Sequence, residues 1–234
     1  MIARSLLKFI SALLLITLYS CNPRLANGLR KNDLKRDVEM ITDKGTVVIR
    51  LSDSTPLHRD NFLRLVKEHF YDSISFHRVI NEFMVQAGDP STKPFKSVSD
   101  TNKAAQTIPA EFRAGLFHKK GVIAAARTAD NINPTKASSA TQFYLVQGKV
   151  FTEQSLDSVE TYRLKRKLPE PHRQVYKTLG GAPYLDQQYT VFGEVIRGIP
   201  VIDSIAVIPT NGPTGGHRPL KDVKILKARL IKRS

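Results

Sequence analysis

The stretch Phe76-His77-Arg78-Val79-Ile80-Asn81-Glu82-Phe83-Met84-Val85-Gln86-Ala87-Gly88-Asp89-Pro90 decides how this chain is read. One arginine is set among apolar residues, followed by a Phe-Met pair and a glutamine two places on. Gly-Asp-Pro then closes the segment with a strong turn signal. As a strand, the stretch puts Arg78, Ile80 and Glu82 on one side and Phe83 and Val85 on the other, with a break in register expected at Asn81-Glu82. A cationic fork, an aromatic ring, a thioether and an amide then meet at the mouth of one apolar surface. That set suits binding a neutral peptide rather than cutting one.

The order FHR, FM, Q, GD at this spacing closely resembles the signature of the cyclophilins, the prolyl cis/trans isomerases. Each piece alone is explained as well by a surface arginine or an ordinary core residue; the whole run is not. Further blocks follow in family order. Gly121-Val122-Ile123-Ala124-Ala125-Ala126-Arg127 resembles the small-residue strand that floors the family's peptide groove. Ala126 matches the groove alanine, and Arg127 stands where many eukaryotic members carry asparagine and bacterial ones arginine. Ser138 to Val146 matches the SQFF block, with Gln142 on the groove glutamine. Tyr144 takes a pocket position that is commonly phenylalanine, and its extra hydroxyl needs a partner or water. Tyr184 to Val195 resembles WLDGKHVVFGKV: Leu185 matches a pocket leucine, and Tyr189 replaces a pocket histidine. Tyr184 replaces the tryptophan associated with cyclosporin, which implies weakened binding of that inhibitor.

The resemblance covers about 38–232 and implies a mainly β fold: a closed antiparallel eight-stranded cyclophilin-like barrel capped by two helices, with a helical insertion. It implies a peptidyl-prolyl isomerase that assists the folding of envelope proteins, with Arg78 as the catalytic residue. Phe83, Met84, Gln86, Ala126, Arg127, Gln142, Tyr144, Leu185 and Tyr189 are the expected substrate-binding set. No cofactor or metal is expected, and a monomer that takes proline-containing polypeptides is. A membrane-tethered chaperone or adaptor that binds proline peptides with little turnover is the alternative.

Local patterns agree with that architecture. Val38 to Thr42, an Asp43-Lys44-Gly45 turn and Thr46 to Leu51 predict a β-hairpin. Thr55-Pro56 reads as a helix start, with Phe62, Leu63, Val66 and Phe70 on one face of a helix over roughly 57–69. Residues 91–107 are polar and turn-rich and predict a loop. A last helix and strand are expected between Ile196 and Ile231. Residues 151–183 are the main departure from the family pattern. There Leu156, Val159 and Tyr162, then Val175 and Leu179, recur at helical spacing before Gly180-Gly181. This insertion is expected beside the groove, either as a wall or lid or as a surface elaboration.

Composition bounds the rest. The 234 residues can bury a substantial core, and 41% hydrophobic content excludes a disordered or multi-span membrane chain. A net charge of +15 suits nucleic acid, an anionic membrane or a solvated basic surface. No nucleic-acid motif accompanies the charge, so no nucleic-acid partner is expected. The six histidines show no metal-ligand spacing. Residues 1–20 read as a signal: Arg4 and Lys8, then an apolar run from Phe9 to Leu18, too short for a comfortable bilayer span. Leu18-Tyr19-Ser20-Cys21 resembles a bacterial lipoprotein site, with lipidation at Cys21, the sole cysteine. Cleavage leaving a free thiol, or an uncleaved anchor, are the other readings. Residues 21–36 are expected to be a flexible tether, 37–233 the isomerase domain, and the location the cell envelope, on a periplasm-facing outer membrane.

Overall fold

The computed structural model describes residues 28–95 and 97–233. The signal segment and Cys21 lie outside the described residues.

β1 (Arg36–Thr42) and β2 (Gly45–Leu51) form the expected hairpin, with Gly45 at φ +130° in the turn. β1 also pairs along its length with β10 (Ile225–Lys232), so the two ends of the domain lie side by side. β9 (Val191–Arg197) joins β2, followed in the sheet by β6 (Val122–Ala125), β8 (Phe143–Val146), β4 (Met84–Ala87) and β3 (Arg78–Ile80). Every pairing is antiparallel. A separate two-stranded ribbon pairs β5 (Thr107–Ile108) with β7 (Ser138–Ser139).

The eight strands curl into a half-barrel rather than the closed barrel expected. β3 and β10 are the two edges of the ladder. They approach where Phe76 N–H donates to Val223 O at 2.8 Å and Ile225 N–H donates to Ile74 O at 2.8 Å. Beyond that contact β3 is only three residues long, and Val79 N–H donates to the loop carbonyl of His217 instead of to a strand.

Period-two alternation separates two apolar clusters. Val38, Met40, Ile49, Val79, Val85, Ile123, Phe143 and Leu145 fill the inside with residues of the helices. Met84, Val122, Ala124, Tyr144, Val146 and Val191 face out of the curl into a second, smaller cluster. α1 (Pro56–Lys67) buries Phe62, Leu63, Leu65 and Val66, and α5 (Ile199–Ala206) buries Ile202, Ile205 and Ala206. The Thr55 side chain does not cap α1. Its Leu57 and His58 N–H groups donate instead to the Glu111 carboxylate at 3.1 and 2.9 Å, which sets a negative charge on the positive end of the helix.

Three expectations need correction. Residues 28–36 are not a free tether: Leu29 is fully buried in the main core, Asp33–Lys35 forms a 3₁₀ turn, and Lys67 Nζ bonds Asp33 at 2.7 Å. The region 91–107 is not all loop, because Val98–Ala104 forms α2. A reciprocal Ser97–Asp100 capping box starts that helix, and none of its residues is buried. The insertion is helical as expected, but Tyr162 and Leu179 are exposed and Tyr176 is its fully buried anchor. Here α3 (Glu153–Ser158) widens into a π-helical turn over Val159–Leu164, and α4 (Glu170–Thr178) packs back with Phe151, Leu156, Leu168 and Tyr176 in a third cluster.

Candidate active site

The opening stretch folds as a hairpin, not as one broken strand. Glu82 adopts φ +60° at its tip, where its N–H donates to Gln147 Oε1 at 2.6 Å. Reversal after Ile80 sets Arg78 opposite Gln86 and Ile80 opposite Met84. Arg78, Ile80, Met84 and Gln86 therefore share the outward face, while Val79 and Val85 go to the core. Phe83 lies on the turn, and its carbonyl accepts from the N–H groups of Gln147 and Gly148 at 3.0 and 2.9 Å.

Gly88 explains how Gln142 arrives beside this hairpin. It sits at φ +98°, and a Cβ there would lie 2.1 Å from Thr141 O, so only glycine lets the two backbones run so close. Gln86 Nε2 donates to Gln142 Oε1 at 3.0 Å, and Arg78 Nη1 donates to Gln86 Oε1 at 3.3 Å. This relay holds the arginine by one bond. No acceptor among the described residues takes its remaining guanidinium N–H groups.

β8 places Tyr144 directly opposite Gln86 on one side and Ala124 on the other. Ala124 and Ala126 keep the neighbouring strand low. Met84, Tyr144 and Ala126 line one apolar patch with the partly buried Phe83, Tyr184, Leu185 and Tyr189. Tyr189 meets Tyr144 edge-on at 6.0 Å between ring centroids, and Phe83 meets Tyr184 at 5.7 Å. Burial pushes the Tyr184 phenol up to about 12, against the opposing pull of Arg163 and Arg78. The Tyr144 hydroxyl does have a partner, His118 Nε2 at 3.0 Å, and burial holds its phenol well above the usual range.

Arg127 is placed differently from Arg78. Its guanidinium lies over the Tyr189 ring at 4.5 Å, donates from Nε to Gln188 O and from Nη1 to Thr128 O, and pairs with Asp130 at 2.6 Å. The side chain is 4% exposed although the residue as a whole is half-buried, so what Arg127 presents to solvent is largely main chain. Arg127 belongs to the expected substrate-binding set, and its side chain is committed to bracing the Tyr189 loop.

All the expected residues of the hairpin, β8 and the 183–189 segment thus come to one outward-facing patch. Three residues behind it went unrecognised in the sequence. His118, Asp186 and Tyr176 are buried beneath Tyr144 and bonded to one another. Asp186 stands next to Leu185 in a block read only for its apolar members, and His118 carries no motif of its own.

The fold and site together define a curled antiparallel β-sheet that carries Arg78 beside an outward-facing apolar patch. The sequence model for the cyclophilin type peptidyl-prolyl cis-trans isomerases matches residues 37–230. A Staphylococcus haemolyticus protein named "Putative peptidyl-prolyl cis-trans isomerase" is 33% identical over 205 residues, covering 87% of this chain and 94% of its own. A Staphylococcus epidermidis protein of the same name is 34% identical over the same shares. Among solved structures, a Cryptosporidium parvum cyclophilin type isomerase superposes with a TM-score of 0.60 at 18% identity, over 85% of this chain and 99% of that one. The same parvum protein in the presence of the dipeptide Ala-Pro gives 0.59 at 19% identity, over the same shares. The chain belongs to the cyclophilin-type peptidyl-prolyl cis-trans isomerase family.

Proposed function

We propose that the patch around Arg78 binds proline-containing polypeptides and accelerates rotation about the X-Pro bond, with Arg78 as the catalytic donor. The amide barrier of ~18–20 kcal/mol comes from delocalisation of the nitrogen lone pair into the carbonyl. At proline both isomers are accessible but exchange in tens to hundreds of seconds. No bond need be broken, so neither nucleophile nor general base is needed. A donor aimed at the prolyl nitrogen localises its lone pair and lowers the double-bond character. Raising ~0.01 per second to about a thousand turnovers requires about five decades, or ~7 kcal/mol. One well-placed donor supplies about 10²–10³ of that. The remainder falls to the apolar set Phe83, Met84, Tyr144, Leu185 and Tyr189, which excludes water around the ring, and to Gln86 and Gln142 holding flanking groups. The exposed main chain of Arg127, just past β6, offers a site for the peptide backbone, and the small Ala126 keeps the floor beside it low.

The observation that carries this reading is the contrast between two arginines. Arg127 is spent on its own loop, whereas Arg78 is held by a single bond with its other donors open beside an apolar patch. The test is refolding of a client limited by proline isomerisation, with the protein at far less than one equivalent. Faster refolding at that ratio is expected. A need for stoichiometric amounts would favour the binding-chaperone alternative and overturn catalysis.

A monomer, lipid-anchored at Cys21 and serving folding in the cell envelope, is the setting this reading fits. With Leu29 buried, only residues 22–28 separate such an anchor from the folded body, a reach of at most about 25 Å. Fatty-acid labelling that survives Cys21→Ser, or leaves the wild-type chain unlabelled, would remove the anchor.

A further inference from the structure

Behind the groove, a line of buried hydrogen bonds runs from the pocket floor into the insertion. The Tyr144 hydroxyl meets His118 Nε2 at 3.0 Å. His118 Nδ1 meets Asp186 Oδ1 at 3.0 Å, and the His118 backbone N–H donates to the same oxygen at 2.8 Å. Asp186 Oδ2 accepts from the Tyr176 hydroxyl at 2.8 Å. His118 and Tyr176 are fully buried, and Tyr144 and Asp186 nearly so.

The proton order follows from the acceptors. An ionised carboxylate only accepts, so Nδ1 carries the imidazole proton toward Asp186 in the neutral ring. With that tautomer Nε2 accepts from the Tyr144 O–H, which then points into the protein, away from the groove. One carboxylate thereby fixes the tautomer of His118 and the rotor of a groove residue. It also faces three donors, two from the 118 segment and one from α4.

The insertion grips Asp186 a second time, where Arg166 Nη2 donates to its carbonyl at 3.0 Å. At its root the insertion lies backbone against backbone on the same segment. Ala182 N–H donates to His118 O at 2.8 Å, and a Cβ on Gly181 would sit 2.2 Å from that oxygen. Phe117 stacks on His172 of α4 at 3.8 Å. Tyr184 packs in both the groove cluster and the insertion cluster.

We propose that Tyr176 and Asp186 are positioning residues for the isomerase reaction, through which the 151–183 insertion sets the position of Tyr144 in the proline pocket. The insertion is a brace under the groove and not a lid over it. This rests on the isomerase reading of the patch. Tyr176→Phe removes one hydroxyl and leaves the ring to pack on Phe117 and Phe151, where centroids stand 5.6 and 6.3 Å apart.

The experiment is a double-mutant cycle with Tyr144→Phe on the full chain, read by kcat/KM for X-Pro peptides and by melting temperature. In the wild-type background Tyr176→Phe is expected to lower kcat/KM about tenfold, as residues sharing one network couple. In the Tyr144→Phe background, where the line no longer reaches the groove, it should lower kcat/KM by less than about twofold, the melting temperatures confirming that each variant is folded. Equal activity losses in both backgrounds would overturn the proposal. The Tyr144 ring resonances give a second reading that needs no turnover. Tyr176→Phe should shift them, and their staying put would equally refute the brace. An inactive wild type with a moving Tyr144 ring would instead sink the isomerase reading and keep the brace.

Discussion

Replacing Arg78 by alanine separates catalysis from folding more sharply than any other single change in the groove. In the folded chain Arg78 is half-buried and its side chain makes one hydrogen bond, to Gln86 at 3.3 Å, at the long end of the useful range. Its loss should cost no more than about 1 kcal/mol of stability. For a domain of this size that is a fall of about 2–4 °C in melting temperature. The transition state loses much more. A donor aimed at the charge that develops on the prolyl nitrogen is worth about 10²–10³ in rate, or about 2.7–4 kcal/mol. Arg78→Lys keeps the charge but not the planar fork that bonds Gln86 and a substrate together, so it should recover only a small part of the rate. The assay is X-Pro isomerisation in a short peptide, coupled to a protease that cleaves only the trans form, run cold to slow the background. A variant that melts normally yet keeps kcat/KM within about threefold of wild type would refute the reasoning, because that difference is too small for a transition-state donor.

Other consequences follow from particular contacts. Leu29→Ala empties a fully buried site and should cost about 2–5 kcal/mol, read as a large fall in melting temperature; an unchanged melt would mean that residues 28–36 contribute nothing to the fold. Burial alone would raise Glu160, but Lys167, the Leu168 N–H and Arg173 outweigh it and bring the carboxyl down to about 2. With the folded value below the ordinary 4.5, its stabilisation is present above about pH 4.5 and is lost as pH falls toward 2. Glu160→Gln should therefore flatten that part of the melting-temperature profile, and a profile that keeps the wild-type slope would show that other carboxyls cause it. Tyr184 packs on Phe83 where a tryptophan would extend the apolar surface. Cyclosporin should bind weakly, and Tyr184→Trp should tighten it about tenfold through the larger ring, measured by calorimetry; no gain would place the determinant elsewhere.

What the sequence made legible is what short-range chemistry dictates. Gly45 in the β1–β2 turn, Pro56 at the start of α1 and the β-branched strands were visible because each acts within a few residues. The groove set was visible because it recurs as ordered blocks. The capping box at Ser97 and Asp100 was also in plain view, but a helix with no buried residue has no apolar period to draw attention. Closure of the barrel was not legible, since it depends on how far β3 extends before its edge bonds to the His217 loop. Leu29 looked like part of a polar tether because three leucines scattered among basic and amide residues carry no sustained period. Its burial is decided by the main core it joins, not by its neighbours in the chain.

The deepest miss, the line from Tyr144 to Tyr176, has a physical cause. Short-range signals report on a residue's own strand or helix, and each member of this line sits in a different element. Tyr144 was expected to need a partner for its hydroxyl, and that requirement was the one clue to it. A buried hydroxyl left unsatisfied costs about 1–3 kcal/mol, so a tyrosine where phenylalanine would do predicts a polar group behind the pocket. His118 meets it, and His118 in turn requires an acceptor, which Asp186 supplies. Each polar substitution in a buried wall thus demands another further out, until the chain of demands ends at a group rigidly held. Here it ends in α4, at a tyrosine outside the curled sheet. The groove residue and the insertion are therefore parts of one arrangement, and swapping Tyr144 alone for the commoner phenylalanine would leave His118 Nε2 as the new orphan.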